Sequence, residues 1–309
     1  MKHPFEQDRA DQASSALDLI GKTPMIRITR ITAGLDPRVK IYAKLERVNP
    51  GGSVKDRAAF RMISDAEAAN HLRRDMTILD STSGNTGIAY AMIGAVKGYR
   101  VKIVIPENAG IERKKIMQSF GAELVFSSPF DGADGAIRMA KEILAEHPDR
   151  YFQPDQYNNP SNAKAHELTT GPEILSQTQG TISHFIACVG TGGTIMGTGR
   201  ALKRHNPSIR ILSVHPDDAM HGIEGTKYLE EGAIVPGIFD KGFPDERLTV
   251  STEAAYDMTK RLAREEGLFV GHSSGAALAA SLKVAEQLAE GVVVVMFPDG
   301  GDRYLSREI

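Results

Sequence analysis

The chain has 309 residues and a formal charge of −2, with 37 Lys plus Arg against 39 Asp plus Glu; 41% of it is hydrophobic and 25% charged. This excludes wholesale disorder, removes the electrostatic case for a nucleic-acid or membrane-surface binder, and leaves room for about two domains. A lone cysteine, Cys188, excludes an intrachain disulfide and a multi-thiolate zinc centre, so no metal is expected.

The opening stretch MKHPFEQDRADQ has no apolar h-region and is not expected to be a secretory signal. The longest strongly apolar run, 292–297, is far too short to cross a bilayer, so a cytoplasmic protein is expected. Runs rich in Val and Ile predict strands at 40–45, 77–80, 101–105, 123–127, 184–189, 209–214 and 292–297. Helices are expected at 55–70, 86–97, 111–120, 134–146, 163–178, 194–205, 253–266 and 275–289, with Ile137, Ala140 and Leu144 on one stripe of the fourth. Gly98, Gly121 and Gly291 stand where left-handed helix ends are wanted. Strand–helix alternation throughout predicts an α/β fold with parallel sheets covered on both sides. The turn-rich segment FQPDQYNNPSN suggests a break near 158–160, and 217–246 reads as irregular, the kind of stretch that forms a lid or a contact.

Four segments carry chemistry. NPGGSVKDR places Lys55 at a helix start, where the positive dipole end disfavours an ammonium. A lysine there either points to water or, if buried, has a depressed pKa suited to amine chemistry. STSGNTG, at 81–87, gathers hydroxyls and an amide beside helix-terminal N–H groups, which suits a carboxylate and exceeds what an N-cap needs. GTGGT, at 190–194, opens a helix after a strand. It lacks the third glycine of a dinucleotide fingerprint (Ile195) and the lysine of a P-loop (Thr198), leaving a single-phosphate cradle or a plain tight turn. GHSSG, at 271–275, matches the GxSxG of a serine-hydrolase elbow with Ser273 as nucleophile, although no histidine follows His272 to complete a triad. A hydrogen-bonding serine at a helix start is the alternative.

Taken together and in this order, these segments resemble the fold-type II pyridoxal-phosphate enzymes, and within them the cysteine synthase/cystathionine β-synthase family. The likeness runs from GKTP at 21–24 to PDGGD at 298–302, although His272 stands where an apolar residue is usual. The resemblance implies two domains, each a mostly parallel twisted sheet flanked by helices: 49–158 smaller and mobile, 1–48 with 159–309 larger and holding the cofactor phosphate. It implies that Lys55 carries pyridoxal 5'-phosphate and acts as catalytic base, and that Gly190, Thr191, Gly192, Gly193 and Thr194 hold the phosphate. Asn85 would meet the ring hydroxyl and Ser273 the ring nitrogen; Thr82, Ser83, Gly84, Asn85, Thr86 and Gln156 would take the substrate carboxylate. The implied reaction is replacement of the acetate of O-acetylserine by sulfide, through α-aminoacrylate, to give cysteine. O-phosphoserine as donor and homocysteine as acceptor stay open, as does a serine hydrolase outside the family. Lys227 and His221 lie in a loop that departs from the usual acetylserine type; Lys227 either meets a donor phosphate or is solvated. A homodimer and a complex with serine acetyltransferase are further implications.

Overall fold

The structure, a computed structural model, describes residues 12–306 apart from 231, 232 and 234. All but the last residue of the stretch read as lacking a signal sequence, and three positions of the 217–246 loop, lie outside the described residues.

The chain begins one sheet, leaves it to build another, and returns. Strand β1 (Met25–Arg27) pairs antiparallel with β2 (Val39–Leu45). Next come α1 (Lys55–Ala68), β3 (Thr77–Ser81), α2 (Asn85–Lys97), β4 (Arg100–Pro106), α3 (Ile111–Ser119), β5 (Glu123–Ser127), α4 (Gly132–Glu146) and β6 (Tyr151–Phe152). These strands form a parallel sheet in the order β5-β4-β3-β6. The chain then runs through α5 (Pro160–Leu168), α6 (Thr170–Gln177), β7 (His184–Cys188), α7 (Gly193–His205), β8 (Arg210–Pro216), β9 (Glu246–Val250), α8 (Thr252–Glu266), α9 (His272–Ala285) and β10 (Gly291–Phe297). This completes the sheet β1-β2-β10-β7-β8-β9, parallel at every pairing except β1 with β2.

The near-continuous apolar runs reflect strands buried on both faces. In β10, Val293, Val295 and Phe297 pack with Ala276, Ala277 and Leu278 of α9, while Val294 and Met296 face Ile195, Met196 and Leu202 of α7. The other sheet is covered likewise: Ile78, Val101 and Ile103 face α1 and α2, and Leu79 and Val104 face Ala136 and Ala140 of α4. Gly98 and Gly121 adopt φ of 77° and 86°, as helix ends require.

Several expectations need correction. The helix expected over 163–178 is two, α5 and α6, meeting at Thr169. Asn159 caps α5 by accepting from the Ser161 N–H at 3.0 Å, and Pro160 fixes its first residue, which explains the turn-rich signal at 158–160. Helix α9 starts three residues before the expected 275, so GHSSG is its first turn rather than a loop. It also ends at Ala285, so Gly291 opens β10 and is no helix end. β1, β6 and β9 escaped notice; two are very short, and β9 has three charged or polar residues among five.

Candidate active site

The carboxyl ends of β3, β7 and β10 deliver their loops to one place, the usual location of a site in an open parallel sheet. A cleft of about 390 Å³ is bounded there by Lys55, residues 81–86, Gln156, Tyr157, Gly190, Thr191 and residues 224–227. A smaller cavity, about 40 Å³, adjoins it; Lys55, Asn85, Gly190 and Thr191 line both, and Gly192, Thr194, Cys188, Ser273 and Asp299 line the smaller. The structure therefore brings together residues from all four segments singled out in the sequence.

The 190–194 turn is built for close approach. Gly192, the residue before α7, has φ of 87°, a conformation glycine adopts without steric cost. A Cβ on Gly190 would stand 2.3 Å from the Gly225 carbonyl oxygen. Thr191 Oγ1 accepts from the Gly193 N–H at 3.3 Å and from Asn162 Nδ2 at 3.0 Å, which fixes the turn. The first-turn N–H groups of α7 have no intrahelical acceptor and, with the helix dipole, favour an anion. Thr194 Oγ1 lies 3.4 Å from Nε2 of His166, a buried ring that burial and the nearby Arg57 push down to about 3, so it is neutral. The turn thus directs helix-terminal N–H groups at a small cavity, an arrangement that suits an anion.

Lys55 opens α1, and its amine makes no hydrogen bond or ion pair among the described residues. Burial lowers its pKa, with Asp299 opposing. The preceding loop is held by Asp56, whose Oδ2 accepts from the Gly51 N–H at 2.6 Å; burial raises its carboxyl to about 7. Two residues beyond Lys55, Arg57 grips Glu46 at 2.7 and 2.8 Å and Glu173 at 2.7 and 2.8 Å, while Lys44 meets Glu173 at 2.8 Å. The start of α1 is thereby tied to the end of β2 and to α6.

That network has a pH signature. Burial alone would raise Glu173, but Arg57 and Lys44 outweigh it and hold the carboxyl at about 2, below its model-compound 4.5. A depressed carboxyl contributes stability that is complete above its unfolded pKa and lost as pH falls through the folded one. Urea unfolding midpoints are therefore expected to fall between about pH 5 and pH 2, with a shallower slope in Glu173→Gln.

On the other wall, Thr86 Oγ1 donates to Gln156 Oε1 at 2.8 Å. This leaves the Gln156 amide N–H groups as the donors available to a ligand carboxylate. Asn85 Nδ2 donates to Asp299 Oδ2 at 2.7 Å, Tyr304 donates to the same oxygen at 2.6 Å, and Arg303 donates to Asn85 Oδ1. Ser273 lies in the first turn of α9, with its carbonyl accepting from Cys188 Sγ at 3.2 Å. A hydrolase elbow is a strained turn, yet Ser273 is helical, and the described non-glycine residues with positive φ are Lys22, Asn70, Asp155 and Gln179. His272 stacks on Tyr256 at 4.0 Å and packs on Tyr304 at 5.2 Å. The geometry disfavours the nucleophile reading.

Lys227 is half-buried, with Nζ 4.5 Å from the centre of the Tyr157 ring and its pKa lowered by burial, Asp134 opposing. Lys227 bounds the cleft. His221 does not line either cavity. Sequence reasoning gave no role to Asp299, Arg303, Tyr304, Arg113 or Glu224. The available signal was PDGGD directly after the most apolar strand, at the end of a parallel strand where sites form.

The chain also matches known proteins. The family described as "Pyridoxal-phosphate dependent enzyme" matches residues 16–299. A cysteine synthase of Aquifex aeolicus (strain VF5) is 49% identical over 295 residues, covering 94% of this chain and 90% of the relative. The crystal structure of the cysteine synthase (OASS) of Entamoeba histolytica superposes with a TM-score of 0.94 at 35% identity, covering 99% and 93% of the two chains. An O-acetylserine dependent cystathionine β-synthase of Helicobacter pylori gives a TM-score of 0.90 at 36% identity, covering 97% and 99%.

Proposed function

Because this chain belongs to the pyridoxal-phosphate dependent enzyme family, we propose that its cleft replaces the β-substituent of O-acetylserine by sulfide, giving cysteine and acetate. It is a cysteine synthase that uses pyridoxal phosphate; the donor and the roles of individual residues are our reading. The observation that carries it is the half-buried Lys55 amine, without a hydrogen bond or ion pair among the described residues, where a small anion-suited cavity meets a loop rich in carboxylate donors.

These residues fit the cofactor. Lys55 would hold it covalently, residues 190–194 would hold its phosphate at the start of α7, and Ser273 would face the ring nitrogen. Asn85, with one amide N–H committed to Asp299, keeps a second for the ring hydroxyl. When bound, pyridoxal phosphate supplies an electron sink that makes the donor's Cα–H acidic and loosens its β-substituent. Thr82, Ser83, Gly84, Thr86 and Gln156 hold the donor carboxylate, which orients Cα toward Lys55. The lowered pKa of Lys55 leaves its amine able to take the Cα proton and later return one. Residues 49–158 form the smaller unit, which closes over the cleft and excludes water. A cytoplasmic homodimer, with a serine acetyltransferase able to dock in the cleft, completes the reading.

The test is the absorption spectrum of the holoenzyme. Addition of O-acetylserine is expected to shift the visible band and added sulfide to restore it with release of cysteine; an unchanged spectrum would refute the donor.

Lys227 favours a second donor, O-phosphoserine, since a cation bounding the cleft suits a leaving phosphate. Lys227→Ala is expected to cut O-phosphoserine turnover by about tenfold and O-acetylserine turnover by less than about threefold, roughly the loss of one charge-assisted contact. Equal kinetics of wild type and variant on O-phosphoserine would remove Lys227 from donor recognition.

A further inference from the structure

Two charges bounding the larger cleft have no part in the scheme above. Arg113 of α3 and Glu224 of the loop after β8 form an ion pair, their side chains 6% and 19% exposed. The guanidinium lies 5.6 Å from the centre of the Tyr304 ring and packs on Gly110, where a Cβ would come within 2.9 Å of Nη2. One partner rides on a helix of the four-stranded sheet and the other on a loop of the six-stranded sheet, so the pair joins opposite walls of the cleft.

We propose that the Arg113–Glu224 ion pair selects the acceptor, admitting sulfide and excluding amino-acid thiols such as homocysteine. The proposal rests on the cysteine-forming reading above. The chemistry itself does not discriminate: for either acceptor the sulfur forms a bond to the donor's Cβ, the Cβ–O bond breaks, and acetate leaves with its electron pair while the thiol proton passes to solvent. Access and charge do discriminate. Sulfide is one heavy atom and needs no partner for a distant group. Homocysteine brings a carboxylate and an ammonium that must lose their water, and the two wall charges that would match them already neutralise each other. To use them it must separate a largely buried pair, and each charge then stands uncompensated unless the new geometry is equally good. A pair joining the two walls also narrows the opening through which a longer acceptor must pass.

The test compares holoenzymes with O-acetylserine and either sulfide or homocysteine. In the double variant Arg113→Met with Glu224→Gln, the ratio of kcat/KM for homocysteine to that for sulfide is expected to rise at least about tenfold, chiefly through a lower KM for homocysteine. Exchanging the charges, Arg113→Glu with Glu224→Arg, is expected to return the ratio toward wild type. Thermal unfolding gives a readout independent of turnover: each single neutralisation should lower Tm more than the double does, the sign of direct coupling. A ratio that is unchanged or lower in the neutral double variant, additive Tm changes, or a wild type that uses both acceptors equally would overturn the proposal while leaving the cysteine-forming reading intact. Failure of the wild type to form cysteine from sulfide with either donor would overturn both.

Discussion

Lys55→Ala is expected to give a folded protein that takes up pyridoxal phosphate without the visible band of the wild type and loses at least about a thousandfold in cysteine formation. The magnitude combines loss of the covalent tether with loss of a positioned base, which by itself contributes about 10²–10⁴-fold. Folding should survive, because the Lys55 amine makes no hydrogen bond or ion pair among the described residues and its burial works against its charge. Circular dichroism and urea unfolding check the fold; the absorption spectrum and a cysteine assay check the role. A Lys55→Ala protein with wild-type colour and turnover would dismiss the lysine from the chemistry.

The second large effect concerns stability. Arg57→Met keeps much of the side-chain volume but removes the partner of Glu46, whose side chain is 0% exposed, and one of the partners of Glu173. Burial alone would raise the pKa of Glu46, and Arg57, by charge and hydrogen bond, leads the groups that together lower it. Removing one member of a buried pair costs about 3–5 kcal/mol, because the other charge remains without compensation. We expect that loss in unfolding free energy near neutral pH, measured by urea titration. Since Arg57 follows Lys55 by two residues on the same helix turn, activity should fall as well. The companion change Glu46→Gln in the Arg57→Met background should recover part of the stability, because no buried charge is then left alone at that position. Full additivity of the two changes would show that they do not act as a unit.

The strands that position the cleft were legible because burial on both faces leaves an unmistakable apolar run. β3, β7 and β10 each differ by one residue at one end from the ranges read from sequence. β1 and β6 were illegible for the opposite reason: two or three residues carry no period. The two-helix structure across Thr169 was missed although Gly171 and Pro172, in the first turn of the second helix, mark the joint. Within the cleft, Lys55, the 81–87 loop, the 190–194 turn and Ser273 announced themselves through composition beside strand ends. Asp299, Tyr304 and the Arg113–Glu224 pair did not. Each is an ordinary polar residue until a fold brings it against partners more than a hundred positions away, as Asp299 is brought to Asn85.

The route of the chain has a consequence for biosynthesis. Lys55 belongs to the first fifth of the polypeptide, but Asp299 and Tyr304, which line the cavities beside it, and Arg303, which donates to Asn85, are translated near the end. A nascent chain on the ribosome therefore exposes Lys55 long before the walls of its cleft are complete. A polypeptide halted before residue 299 would carry Lys55 and the 190–194 turn but lack the carboxylate that holds Asn85.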